Sequence, residues 1–381
     1  MKKMYWRPQK VSLRFLWLVT IIAVVGLFLV EKYQIRQQQP FYKEKLKAAH
    51  LTKRAFRAIK DRRLKLGVAI DEEADPTGSG VIGQLLTPVT TNPGHLPAKQ
   101  TTINPNWGGV MVQLLEKAGV KEGDTVAVGF SGSFPAMNIA TMAACEVLKL
   151  KPIIIASAGA SQWGANITKF MWPDMETVLF NEHIISHKSI AASRGGIEDK
   201  ALGLSPAGQR AIDRAIERNK IMLLESDDFV DSTEKRMSLY REMAGAADIK
   251  AYINVGGGTI SVGTSVGKRM FKPGLNRSLP HGAATIDSVM TRFSAEGVPV
   301  IHITKIDMLA QRYGLPLQPK EMSTPGDGKI FYRDVHNRWL TIGVLATILV
   351  LLFAFIRLDW GYRIMTAGRR DEPKTRPEEM V

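Results

Sequence analysis

Three clusters of glycine and small hydroxyl residues stand where this chain could hold an anion. Ser131-Gly132-Ser133 follows the apolar run 126–130 and precedes a helical pattern opened by Pro135. Ser157-Ala158-Gly159-Ala160-Ser161 closes the run 152–157, and Gly256-Gly257-Gly258-Thr259 closes 251–255. The first turn of a helix has unpaired N–H groups, so a strand–turn–helix junction of this composition suits a carboxylate or phosphate. An ordinary tight β–α turn explains each cluster equally well when taken alone. Together they nominate Ser131, Gly132, Ser133, Gly159, Ser161, Asn166, Gly256, Gly257, Gly258, Thr259 and Lys268 as ligand-binding residues, with Trp163, Arg269 and Lys272 close in sequence.

A catalytic alternative uses the same first turn. Ser131 in Gly129-Phe130-Ser131-Gly132-Ser133 follows a strand, as a hydrolase nucleophile does, but Ser133 stands where G-x-S-x-G requires its last glycine. His281 or His302 could serve as base, oriented by Asp287 or Asp307, and Ser131, His281 and Asp287 make the candidate catalytic set. A structural serine at a turn is the competing explanation. No cofactor is expected. The stretch GTSVGKR at 263–269 has three residues between its glycines where a P-loop has four, and Arg269 where Ser or Thr would bind magnesium. No G-x-G-x-x-G follows a strand. No metal is expected either: His183 and His187 lack the zincin glutamate between them, and Asp71, Glu72, Glu73 and Asp75 do not have EF-hand spacing. The single cysteine, Cys145, excludes an intramolecular disulfide and falls within a helical pattern as a buried thiol.

The elements needed to position these turns are legible as alternating patterns. Strands are expected at 126–130, 152–157, 221–225, 251–255 and 299–304, with helices at 110–118, 134–149, 206–219, 232–247, 285–296 and 307–313. Residues 177–180 suit a strand or a helix. This alternation predicts an α/β fold, a mostly parallel sheet with helices on both faces, in a domain over 67–330. Ligands in such sheets sit beyond the carboxyl ends of the strands, which would bring the three turns to one edge. Within that domain the Pro/Gly/Thr/Asn-rich stretch through residue 109 reads as a long ordered loop.

Two uncharged apolar runs, 15–30 and 339–356, predict N- and C-terminal transmembrane helices. No small-x-small cleavage site follows the first. The tails 1–14 and 357–381 are rich in Lys and Arg near the runs, which predicts cytoplasmic tails, a two-pass cell-membrane protein and an extracytoplasmic central domain. Lys32, Arg36, Lys43 and Lys45 argue against that orientation. Residues 31–66 form a basic helical segment, with twelve basic residues against three acids. Leu46, Ala49, Phe56, Ile59 and Arg63 fall near helical spacing, so one narrow face could pack on the domain or the lipid surface, and the segment reads as a solvated stalk or as an arm that binds a polyanion. The whole chain of 381 residues carries a net charge of +15. An acidic polymer or a membrane surface suits that charge; nucleic acid is not expected, because the basic stretch lacks interleaved stacking aromatics.

SGVIGQLLTPVTTNPGHLPAKQTTINPNWGG, VAVGFSGSFPAMNIA and ASAGASQWGAN, between two terminal apolar runs, resemble the poly-γ-glutamate system protein family over residues 80 to 360. The resemblance implies a membrane protein working with other membrane components that make or export poly-γ-glutamate, and it transfers no catalytic motif. Two functions stay open: an accessory component that binds an anionic polymer through its basic segment and strand-end loops, or a serine-dependent hydrolase or transferase acting on that polymer or on a cell-wall amide.

Overall fold

Six of the seven strands in the main sheet run parallel, as the strand–helix alternation predicts. A computed structural model describes residues 13–263 and 265–357, with side chains from Leu16 to Ala354 apart from residue 264. Nearly all of the expected tails, 1–14 and 357–381, lies outside the described residues. In chain order the main helices are α1 (Leu13–Lys32), α2 (Tyr42–Lys65), α3 (Leu96–Thr102), α4 (Trp107–Ala118), α5 (Pro135–Val147), α6 (Trp172–Asn181), α7 (Pro206–Arg218), α8 (Phe229–Ala244), α9 (Val289–Ala295), α10 (Ile306–Tyr313) and α11 (Arg338–Arg357). The sheet strands are β1 (Thr125–Ser131), β2 (Lys151–Ser157), β3 (Ala191–Ser193), β4 (Met222–Leu223), β5 (Ile249–Val255), β6 (Gly274–Asn276) and β7 (Val300–Ile303).

The spatial order is β4-β3-β2-β1-β5-β7-β6, with β6 antiparallel at one edge. From β1 the chain winds outward through β2, β3 and β4, then returns to β5 on the other side of β1. The order therefore reverses between β1 and β5, and a crevice opens at such a point because the two following loops diverge. β1 is buried at every position. Buried parallel strands read as continuous apolar runs because helices cover both faces, which is why β1, β2 and β5 were visible in sequence. β3 and β6, three residues each, were not.

Alternation along the strands divides the core. Ala127, Ile153 and Ile155 pack with Met237 and Tyr240 of α8 and Phe293 of α9. There Tyr252 stacks on Phe293 at 4.9 Å between centroids. Val128, Phe130 and Ile154 face the other way, toward Thr141, Met142 and Cys145 of α5. Cys145 is buried as expected, and burial pushes its thiol up to about 12. The start of α7 follows the Ser-Pro signal, with Ser205 Oγ accepting from Gly208 N at 3.2 Å. Residues 177–180 are helical, within α6.

The basic segment departs from the stalk expectation. The compact α/β unit comprises Gln38–Phe331, so it begins before residue 67 and includes α2. α2 buries Lys45, Ala48, Ala49, Thr52, Ala55, Phe56, Ile59 and Arg63, a stripe at three- and four-residue spacing, against α4 and α5. Gly108 of α4 allows the close crossing: a Cβ there would lie 2.6 Å from the Ala48 carbonyl oxygen. Two of the basic residues are structural. Lys45 donates to Gln113 Oε1 at 2.7 Å and to the Ile330 carbonyl at 3.2 Å. Arg63 donates to the carbonyls of Gly80, Ile82 and Ala69. Only the outer face, with Lys47, Arg54, Arg57 and Arg62, is exposed.

The terminal residues form a separate unit. There α1 packs on α11, and residues 35–37 belong to a strand paired with Tyr332–Val335. Gly26 lies close against Val344, where a Cβ would come within 2.4 Å of Cγ1. Among the described residues no helix is long and apolar enough to cross a membrane. The runs expected at 15–30 and 339–356 fall in α1 and α11, whose side chains are described only from Leu16 and up to Ala354.

Candidate functional site

Parallel register brings serines side by side at the carboxyl ends of three neighbouring strands. Ser131 of β1 pairs with Ser157 of β2, and Ser157 with Ser193 of β3. Beyond these ends lies a cleft of about 390 Å³. The expected residues Ser131, Ser133, Gly159, Ser161, Gly257, Gly258, Thr259 and Lys268 all line it, so residues from all three turns meet in one place. The opposite wall comes from the long loop: Thr91, Asn92, Pro93, Gly94, His95 and, from α3, Lys99.

Gly132, Gly256 and Asn166 do not line the cleft, and each has a structural task. Gly132 passes so close to β2's exit that a Cβ would lie 2.8 Å from the Ala158 carbonyl oxygen. Gly256 has φ +97° and packs on Ser131, whose Cβ would be 3.1 Å from one on the glycine. Asn166 is fully buried and ties down the long loop: its Oδ1 accepts from Gln84 N at 2.9 Å, and its Nδ2 donates to the Gln84 carbonyl at 2.7 Å and to Thr90 Oγ1 at 2.9 Å.

Most of the turn N–H groups expected to face an anion are already bonded. Gly132 N donates to the Ser157 carbonyl at 2.8 Å, Gly159 N to Arg194 at 3.0 Å and Gly256 N to Ile303 at 3.0 Å. Ser133 N donates to Ser131 Oγ at 3.2 Å and Ser161 N to Ser133 Oγ at 3.0 Å. Buried backbone donors find internal partners whenever packing brings acceptors close. The N–H groups of Gly257 and Gly258 have no acceptor among the described residues, and the Lys268 amine lies over Gly257, 2.7 Å from where a Cβ would sit.

The floor carries an acid and its counter-ion. Asp199 accepts from Arg236 Nη2 at 2.7 Å, both side chains being 5% exposed. Ser193 Oγ donates to Asp199 Oδ1 at 2.7 Å, Ser232 Oγ to Oδ2 at 3.1 Å, and Ser157 Oγ lies 3.4 Å from Oδ1. Among the described residues Asp199 is the sole carboxylate lining the cleft and it is neutralised, so the lining favours an anion.

Lys99 was not anticipated. It sits in α3 within the Pro-rich loop, where nothing in the spacing marks a lysine for burial, yet it is 3% exposed. Its Nζ donates to the Ser133 carbonyl and to Ser161 Oγ, the latter at 3.0 Å, and lies 3.9 Å from the Phe134 ring centroid. No ion pair holds it among the described residues, and burial lowers its pKa to about 7.

The set Ser131, His281 and Asp287 does not come together. Only Ser131 lines the cleft. His281 is exposed, and Asp287 is held by Arg292 through two bonds of 2.8 Å. His302 is fully buried in β7, with Nδ1 2.9 Å from Asn254 Nδ2, and burial lowers its pKa to about 4. The early acids serve the loop: Asp75 accepts from Ser79 N at 2.9 Å and Gly80 N at 2.7 Å, a local turn cap. Among the described residues no group of three His, Cys, Asp or Glu is placed to hold a metal. No family model matches the chain, and no curated protein or solved structure matches it either.

Proposed function

We propose that this chain is a membrane-attached accessory component of a poly-γ-glutamate system, holding carboxylates of the anionic polymer in the strand-end cleft. The observation that carries this reading is the convergence of three Gly/Ser turns and Lys268 on one cleft whose single acid is neutralised by Arg236. Hydroxyls, the Gly257 and Gly258 N–H groups and an ammonium are the donors a carboxylate takes. Supporting it are the net charge of +15, the exposed Lys47, Arg54, Arg57 and Arg62 on α2, and the sequence resemblance. A polymer with one carboxylate per residue would be drawn to such a surface, and salt would weaken the attraction.

Membrane attachment is proposed from the terminal helices. α1 exposes Trp17, Ile21, Val24, Leu27 and Phe28, and α11 exposes Trp339, Ile342, Leu345, Val350 and Phe353. Contiguous apolar surface of this kind marks an interaction with lipid or protein. In the two-pass reading the basic tails are cytoplasmic, the α/β domain is outside, and the other components of the system are its membrane neighbours.

Titrating the full chain in detergent with a short soluble γ-linked glutamate oligomer tests the cleft. Lys268→Gln should weaken binding about tenfold, the scale of one charge-assisted hydrogen bond. Equal affinity in the variant and the unaltered chain would place the polymer elsewhere.

A further inference from the structure

We propose that Ser161 and Lys99 form a nucleophile–base pair in the strand-end cleft, able to transfer an acyl group whose acid portion carries a second carboxylate. The carboxylate preference rests on the reading of the cleft given above; the pair itself rests on geometry.

A serine hydroxyl becomes a nucleophile when a neutral base accepts its proton within hydrogen-bond reach. Ser161 Oγ has such a neighbour 3.0 Å away in Lys99 Nζ. A lysine is a base only when its amine is uncharged, and two features of its surroundings favour that form. The side chain is 3% exposed and no ion pair stabilises its charge among the described residues; that burial brings its pKa to about 7. A neutral amine has two N–H groups and one lone pair. The ammonium donates to both Ser161 Oγ and the Ser133 carbonyl; once the amine is neutral, one N–H keeps the bond to Ser133 and the lone pair can turn to Ser161, whose hydroxyl then donates. The Phe134 ring, 3.9 Å from the amine, would steady the ammonium formed as that proton arrives. Ser131, the serine singled out by its motif, has no lysine, histidine or carboxylate bonded to its hydroxyl among the described residues; its Oγ accepts from Ser133 N.

In the acylation step Ser161 Oγ bonds to the carbonyl carbon of an amide or ester, and its proton passes to Lys99 Nζ. The bond to the leaving amine or alcohol breaks, and Lys99 returns the proton to that group. Water then attacks the acyl-serine ester and gives a proton to Lys99. Ester cleavage releases the acid, and the proton returns to Ser161 Oγ. The sum is hydrolysis of one acyl bond by one water; an amine in place of water gives transfer. The free N–H groups of Gly257 and Gly258 and the Lys268 amine line the same cleft and are available for the substrate's negative charges.

The competing explanation is a staple, in which Lys99 merely ties the turns at 131–133 and 157–161 to the long loop. The full chain in detergent is incubated with the mono-p-nitrophenyl ester of terephthalic acid, whose rigid ring keeps the carboxylate from attacking its own ester. Nitrophenolate release is followed, and the adduct is mapped by peptide mass spectrometry. The expected result is a 4-carboxybenzoyl group on Ser161, lost in Ser161→Ala and formed at least a hundredfold more slowly in Lys99→Met and Lys99→Arg. Arginine can donate to the same two oxygens but cannot take the proton, so full reactivity in Lys99→Arg would leave the staple and overturn the base. An adduct elsewhere, or none, overturns the nucleophile. The adduct is mapped on the unaltered chain, so that outcome stands even where a Lys99 variant fails to fold. Binding of the γ-linked glutamate oligomer to Ser161→Ala separates the two proposals: binding without acylation in the unaltered chain removes the chemistry alone, and acylation without oligomer binding removes the polymer alone.

Discussion

Two buried cations sit at the carboxyl end of the sheet, and they are held in opposite ways. Arg236 on the floor meets Asp199 at 2.7 Å and two serine hydroxyls, and Asp199 is bonded in turn by Ser193 and Ser232. Lys99 on the wall meets a hydroxyl, a carbonyl and an aromatic ring, with no acid among the described residues. The first arrangement satisfies both charges and holds β3 to α8. The second makes the charged form costly while keeping the amine among donors and acceptors. A cation kept for architecture is paired; one kept for proton transfer is better left without a counter-ion.

Breaking the floor should have the largest effect. Asp199→Asn keeps a side chain tolerant of the left-handed backbone at φ 62° but leaves Arg236 buried without its counter-ion. We expect a loss of about 3–5 kcal/mol in urea unfolding. A loss below about 1 kcal/mol would place the pair among weak surface bridges and erase the contrast.

The wall should respond to pH instead. Lys99 has a folded pKa of about 7, below its ordinary 10.5, so the unfolded chain binds more protons between those values. Stability from this group therefore rises as pH climbs through that window, by at most about 1.4 kcal/mol per unit, and its cost is fully present below about 7. Lys45, lowered to about 8, adds a similar slope. The difference between the unaltered chain and Lys99→Met isolates the wall; a difference that does not change from pH 7 to 10 would show that Lys99 is charged throughout.

A third substitution acts between the two regions. Gly132→Ala would drive a methyl group against the backbone carbonyls of Ala158 and Gly159, which cannot move aside as a side chain does. We expect a destabilisation of about 1–3 kcal/mol, with acylation and oligomer binding both reduced because Ser133 and the β2 exit must shift. Undiminished oligomer binding would separate ligand capture from the exact spacing of these turns. The smallest effect belongs to the outer face of α2: Arg57→Glu should change stability by less than about 0.5 kcal/mol, since Arg57 is exposed. If it also leaves the salt dependence of oligomer binding unchanged, the basic face takes no part in attracting the polymer.

Much of the scaffold was legible along the chain. Residues 126–130, 152–157 and 251–255 are apolar runs bounded by turn residues, and they became β1, β2 and β5 because a parallel strand covered on both faces has no reason to alternate. The Gly/Ser turns followed from those strand ends, and their meeting in one cleft followed from parallel pairing. β4, expected over 221–225, kept only two residues, since it pairs along one edge with the short β3. α2 was legible as a helix with a narrow face able to pack on the domain, but its nine basic residues in excess suggested a stalk, and only contact with α4 and α5 decided how wide the buried stripe is, Lys45 included.

The local pattern of apolar and small residues by itself determined where strands end and turns begin, because those preferences act over a few neighbouring residues. Register, burial and charge state were decided only by tertiary structure. Pairing β1 with β2, and β2 with β3, set Ser131, Ser157 and Ser193 in a row and brought internal acceptors to most of the turn N–H groups. Folding the long loop over that row carried Lys99 to Ser161, a residue 62 positions away, and stripped its amine of water. A lysine in a polar loop looks like every other solvated lysine until distant segments enclose it, because desolvation depends on the whole surrounding fold.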